Sequence, residues 1–132
     1  YADAQDRDQA IINYLVSKDI DLVVLAGYLA IVTPALVDRF RGRIINIHPS
    51  LIPKFCGKGM YGLKVHTAVI EAGESESGAT VHFVDEGADT GQIIRQVKVP
   101  VLAGDTPESL QARVLEQEHI LLPSVVAELC KK

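Results

Sequence analysis

The chain has 132 residues, 48% of them hydrophobic, enough apolar side chain for one compact domain with its own core. A formal net charge of −4 argues against a nucleic-acid partner or an acidic membrane, and no apolar run is long enough to span a bilayer. Cys56 and Cys130 lie far apart without metal-ligand spacing, which fits reduced thiols in the cytoplasm.

The sequence opens Tyr1-Ala2-Asp3 with no methionine and no signal-peptide pattern, then moves directly into a helical pattern. An α/β domain ordinarily opens on a buried strand and a ligand-binding turn, so the expectation is a fragment lacking an amino-terminal part. Ala10, Ile11, Tyr14, Leu15 and Ile20 suit one face of a helix over residues 4–17. Leu22 to Ala26 reads as a buried strand ending at Gly27. Thr33 and Pro34 predict the cap and first turn of a short helix through Phe40, closed by Gly42.

Ile44 to Pro53 holds the strongest signal. An uncharged strand carries Asn46 and His48 two residues apart, so both side chains share one face. Pro49 then ends the ladder, leaving an amide and an imidazole at a strand's carboxyl end, where open α/β sheets bind ligands. Residues 53–61 form a glycine- and cation-containing loop that does not match a phosphate-binding P-loop. A helix from Gly62 to Ala72 has Leu63, Val65, Val69 and Ile70 for its inner face, with His66 read as surface or packing.

Ala79 to Val84 is a strand whose His82 shares a face with Thr80 and stands between two roles, a neighbour of His48 or a packed strand histidine. The turn from Asp85 to Gly91 leads into a half-exposed strand, Gln92 to Val101, expected antiparallel at the sheet edge. The last helix starts at Pro107 behind Asp105-Thr106, and Pro123 is expected to kink or interrupt it.

Four groups could converge: Asn46, His48, Asp89 and Glu118. A carboxylate beside a histidine favours imidazolium, and an amide on the same face can bond a carbonyl turning into an oxyanion. That set suits attack on a carbonyl-like carbon with no side-chain nucleophile. Taken singly, Asp89 also reads as a turn residue and Glu118 as a solvated helix position.

The motifs Asn46-Ile47-His48-Pro49-Ser50-Leu51-Ile52-Pro53, Gly78-Ala79-Thr80-Val81-His82-Phe83-Val84 and Asp89-Thr90-Gly91-Gln92-Ile93-Ile94 resemble the folate-dependent formyltransferase family. Leu22 to Tyr28, Val97 to Val101 and Glu118-His119 are similar to its branch acting on glycinamide ribonucleotide. The resemblance covers nearly the whole chain. It implies a single formyltransferase domain over residues 1–132, the catalytic and folate-binding part. The implied fold is α/β and Rossmann-like: a mostly parallel sheet, flanking helices and an antiparallel edge strand, without the family's first strands and phosphate loop.

The resemblance also implies transfer of a formyl group from 10-formyltetrahydrofolate to the amine of that ribonucleotide, in purine biosynthesis, with no metal. It places the catalytic trio on Asn46, His48 and Asp89, and the amine-bearing substrate on Glu118. The pterin pocket falls on Tyr28, Leu29, Ala30, Ile31 and Val32, with Val84, Asp85, Glu86, Gly87 and Ala88 closing its other side. Rival functions are a formyltetrahydrofolate deformylase, a methionyl-tRNA formyltransferase, disfavoured by the acidic balance, and a non-catalytic folate-binding fragment. The partners are small molecules, with no nucleic acid or membrane, and a homodimer is left open.

Overall fold

The computed structural model describes residues 4–18, 20, 22–26, 33–57, 59–85 and 90–130. Among these residues eight elements occur in order: α1 (Ala4–Ser17), β1 (Val23–Ala26), α2 (Pro34–Arg39), β2 (Ile44–His48), α3 (Leu63–Glu71), β3 (Glu76–Phe83), β4 (Ile93–Pro100) and α4 (Pro107–Leu129). The strands form one four-stranded sheet in the order β1-β2-β3-β4. β1 runs parallel to β2, while β3 is antiparallel to both β2 and β4. The antiparallel part therefore takes in β3 as well as the expected edge strand. The connection from β2 crosses through α3 and returns the chain to the sheet in the opposite sense.

Alternation along the strands sorts the side chains onto two faces. Ile45, Ile47, Ala79, Val81 and Val99 point one way and pack against Val69 of α3 and Leu110, Val114, Leu121 and Val125 of α4. Ile44 points the other way, into a smaller cluster with Ile12 of α1 and Leu36, Val37 and Phe40 of α2 and its end. β1 is one of the two edge strands of the described sheet, and its Val24 is 38% exposed rather than buried like its neighbours in β2. Gly27, expected to end this strand, lies outside the described residues.

The packed side of α1 is the expected one in part: Ile11 and Leu15 pack against the smaller cluster, but Tyr14 is 64% exposed, and Asp8 and Ile12, one turn apart, are the buried pair. A charge on the inner face is hidden from apolar-pattern reasoning. Asp8 is tolerated there because Arg7 Nε lies 2.7 Å from one carboxylate oxygen and the Thr33 backbone N–H donates to the other at 2.5 Å. Asp8 thus satisfies the start of α2. Thr33 stands at the cap position but makes no side-chain cap bond, contrary to its expected role. Gly42 takes a φ of +75°, where only glycine is comfortable, and turns the chain from α2 into β2.

On α3, Leu63 is 41% exposed and His66 fills the inner face with Val65 and Val69. Helical spacing explains the swap: residues 65, 66 and 69 form one stripe, and 63 falls off it. α4 carries a capping box, Thr106 Oγ1 accepting from the Ser109 N–H at 3.1 Å and Ser109 Oγ accepting from the Thr106 N–H at 3.0 Å. Pro123 does not interrupt α4, which runs as one element to Leu129. The missing N–H costs one ladder bond, and Leu121 and Val125 on either side are buried in the main core, which holds the helix through it.

Candidate active site

Asn46 and His48 end β2, the more central of the two parallel strands, on the face away from α4. Antiparallel pairing sets His82 opposite Asn46 and Thr80 opposite His48. Next door, Thr80 pairs with Gln96 of β4. Two rows of polar side chains therefore lie across the sheet: Asn46 beside His82, and His48, Thr80 and Gln96 in line. His48, Thr80 and His82 are all buried.

Hydrogen bonds assign the ring protons. His82 Nδ1 lies 2.8 Å from its neighbour's carbonyl, Phe83 O, and so donates to it. Its Nε2 then accepts from Asn46 Nδ2 at a long 3.5 Å, leaving the amide's second N–H for another acceptor. His48 Nε2 lies 2.8 Å from the Phe55 carbonyl and donates to it. Phe55 has a φ of 52°, a left-handed conformation that a bulky side chain rarely adopts and that strained functional loops tolerate.

The segment after His48 is fastened to the sheet. Thr80 Oγ1 donates to the Ser50 carbonyl at 2.7 Å and accepts from the Ile52 N–H at 3.2 Å. Gln96 Nε2 donates to the Ile52 carbonyl at 2.8 Å and to Thr80 Oγ1 at 2.9 Å. Ser50 Oγ closes the turn by donating to the Lys54 carbonyl at 2.6 Å. Gly78 leaves room for this segment, since a Cβ there would meet Leu51 Cδ2 at 2.8 Å and the Val97 carbonyl oxygen at 1.9 Å. None of these fastenings was expected from the sequence; the alternation that puts Thr80 beside His82 was the available signal.

The other expected residues divide. Val84 and Asp85 come directly after β3, with Val84 against the smaller cluster and Asp85 accepting from Thr90 Oγ1 at 2.6 Å. Asp89, Tyr28, Leu29, Ala30, Ile31, Val32, Glu86, Gly87 and Ala88 lie outside the described residues. Glu118 is on α4, which covers the opposite face of the sheet from His48, and burial pushes its carboxyl up from the ordinary range. His66 is buried on α3; burial first, and the charge of the nearby His48 ring second, hold it below the usual histidine range. No group of three or more potential metal-ligating side chains occurs among the described residues.

Comparison with known proteins finds relatives along almost the whole chain. A family model described as formyl transferase matches residues 1–126. The chloroplastic phosphoribosylglycinamide formyltransferase of Arabidopsis thaliana is 50% identical over 122 residues, covering 92% of this chain and 42% of that protein. Phosphoribosylglycinamide formyltransferase of Haemophilus influenzae is 48% identical over 121 residues, covering 92% of this chain and 55% of that one. The chain thus spans about half the length of these curated relatives. Among solved structures, phosphoribosylglycinamide formyltransferase from Streptococcus pneumoniae TIGR4 is 43% identical with a TM-score of 0.89, covering 98% of this chain and 69% of that one. The enzyme of the same name from Bacillus Halodurans superposes with a TM-score of 0.91 at 40% identity, over 100% of this chain and 66% of that one. With sequence and fold matched over almost its whole length, the chain belongs to the formyl transferase family and has its Rossmann-like α/β architecture.

Proposed function

We propose that this domain carries the chemistry of a phosphoribosylglycinamide formyltransferase, moving a formyl group from 10-formyltetrahydrofolate to the primary amine of glycinamide ribonucleotide, in the cytoplasm. The observation that carries the proposal is the pairing of Asn46 and His48 at the carboxyl end of a parallel strand, inside a chain so similar to enzymes of that name. The amine attacks the formyl carbon directly. Asn46 offers an N–H to the oxygen as it gains charge, and His48, as an imidazolium, stabilises that charge with it.

Asp89 is assigned the negative charge that keeps His48 protonated, and assists the proton's passage from the amine to the departing folate nitrogen. Residues 28–32 and 84–88 are assigned to the pterin. Glu118 is assigned to the amine-bearing substrate. No metal takes part in these steps.

The test is formyl transfer by the native gene product beside its His48→Ala variant. Loss of one positioned acid–base group is expected to lower kcat by about 10²–10⁴-fold. Formate released without any amine acceptor would instead make the protein a deformylase, and folate binding without turnover would make it a binding domain.

A further inference from the structure

His48 is fixed by its strand only as far as the α-carbon, because the chain leaves the sheet at Pro49 and enters a loop. One anchor of the ring, the Phe55 carbonyl, belongs to that loop, seven residues on. Its position therefore depends on how residues 49–55 are tied down. Three of the ties meet at one pair of side chains. Thr80 Oγ1 holds both Ser50 and Ile52, and Gln96 Nε2 holds Ile52 and Thr80 itself.

Thr80 alone could not keep that arrangement. A hydroxyl has one proton, and here it goes to the Ser50 carbonyl, so the hydroxyl must be met by donors on its lone pairs. The Ile52 N–H and the Gln96 amide supply both. Without Gln96 the Ile52 carbonyl loses its donor and the hydroxyl becomes free to turn. Gln96 belongs to edge strand β4, two strands from His48, yet it stands in the same cross-strand row.

We propose that Gln96 is a positioning residue for His48, acting through Thr80, Ile52 and the Phe55 carbonyl. This rests on the role of His48 proposed above. Its amide sets where the imidazole sits, and hence how well the ring meets the oxygen of the formyl group as charge develops there. Misplacement of a catalytic group lowers kcat with little change in ground-state binding.

The experiment uses the native gene product with Gln96→Met, which keeps the length and removes both donors, and Gln96→Glu, which keeps the shape and removes the donor N–H. The histidine ring signals are followed by NMR on ¹³C-labelled protein, with His48→Ala identifying the His48 signal. Formyl transfer is measured in parallel. The expected result is a displaced or broadened His48 signal in both variants, with kcat about 3–10-fold lower and both KM values within about twofold, the scale of one lost hydrogen bond. An unmoved His48 signal in either folded variant overturns the proposal, as does a loss confined to KM. Because the NMR readout needs no turnover, an inactive parent protein would count against the proposed reaction and leave the positioning role to be decided by the ring signals.

Discussion

The two faces of β2 and β3 share a backbone and differ in almost everything else. On one, Ile45, Ile47, Ala79 and Val81 meet α3 and α4 in an apolar core. On the other, Asn46 and His82 form one bonded row, and His48 and Thr80 form a second whose hydrogen bonds run to the loop after His48. Apolar packing is nondirectional and tolerates substitution at constant volume, whereas a row of bonded polar groups works only with every partner in place. The first face therefore fixes whether the sheet exists, and the second what its strand ends can do.

The largest stability effect is expected from breaking the apolar face. Leu110→Ala empties a fully buried position between α4 and the sheet and should cost about 2–5 kcal/mol, read from the urea midpoint at unchanged slope. A cost under about 1 kcal/mol would mean that α4 can settle into the gap and that this face is less tightly packed than described.

Thr106→Ala tests whether α4 is held by that face alone. It removes the acceptor for the Ser109 N–H and should cost about 1 kcal/mol while leaving formyl transfer unchanged. An equal stability with and without the hydroxyl would leave the apolar face as the helix's main support.

The smallest effect should appear at His66, which packs with α3 and senses His48. The folded chain binds protons at this ring less readily than the unfolded chain. Stability should thus be whole above the unfolded value of about 6.5, fall as the pH drops below it, and level off beneath the lower folded value. Replacing His66 with Gln should flatten this acid limb in urea midpoints taken from about pH 8 to 5. Identical slopes in the two proteins would move the pH sensitivity to another group.

Much of the apolar face was legible in the sequence, because strand and helix periods are written in the spacing of hydrophobic residues. The exceptions are instructive. Asp8 and His66 are inward-facing polar residues, which a search for apolar stripes passes over or leaves between surface and packing, and Leu63, expected inside, is exposed. Asn46 and His48 were readable because parity within one strand is local. Their relation to Thr80 and Gln96 was not, since it depends on strand register across gaps of up to dozens of residues. Thr33 shows the same limit: its own cap signal was correct in place, but the bond comes from Asp8, 25 positions earlier.

The ladder between β3 and β4 is irregular at one point. Between Val81 and His82 the pairing jumps from Arg95 to Ile93, so Ile94 is an extra residue on β4. Considered as a reading frame, β4 changes phase there. Everything after it, including the Thr80–Gln96 pair, is counted from the far side of the insertion; everything before it, including the connection from β3, is counted from the near side. A one-residue deletion at Ile94 would restore a regular ladder, leaving Gln96 opposite Thr80 and Ile93 opposite His82. The ladder can therefore take up or give back one residue at this point while the row that seats His48 stays in register.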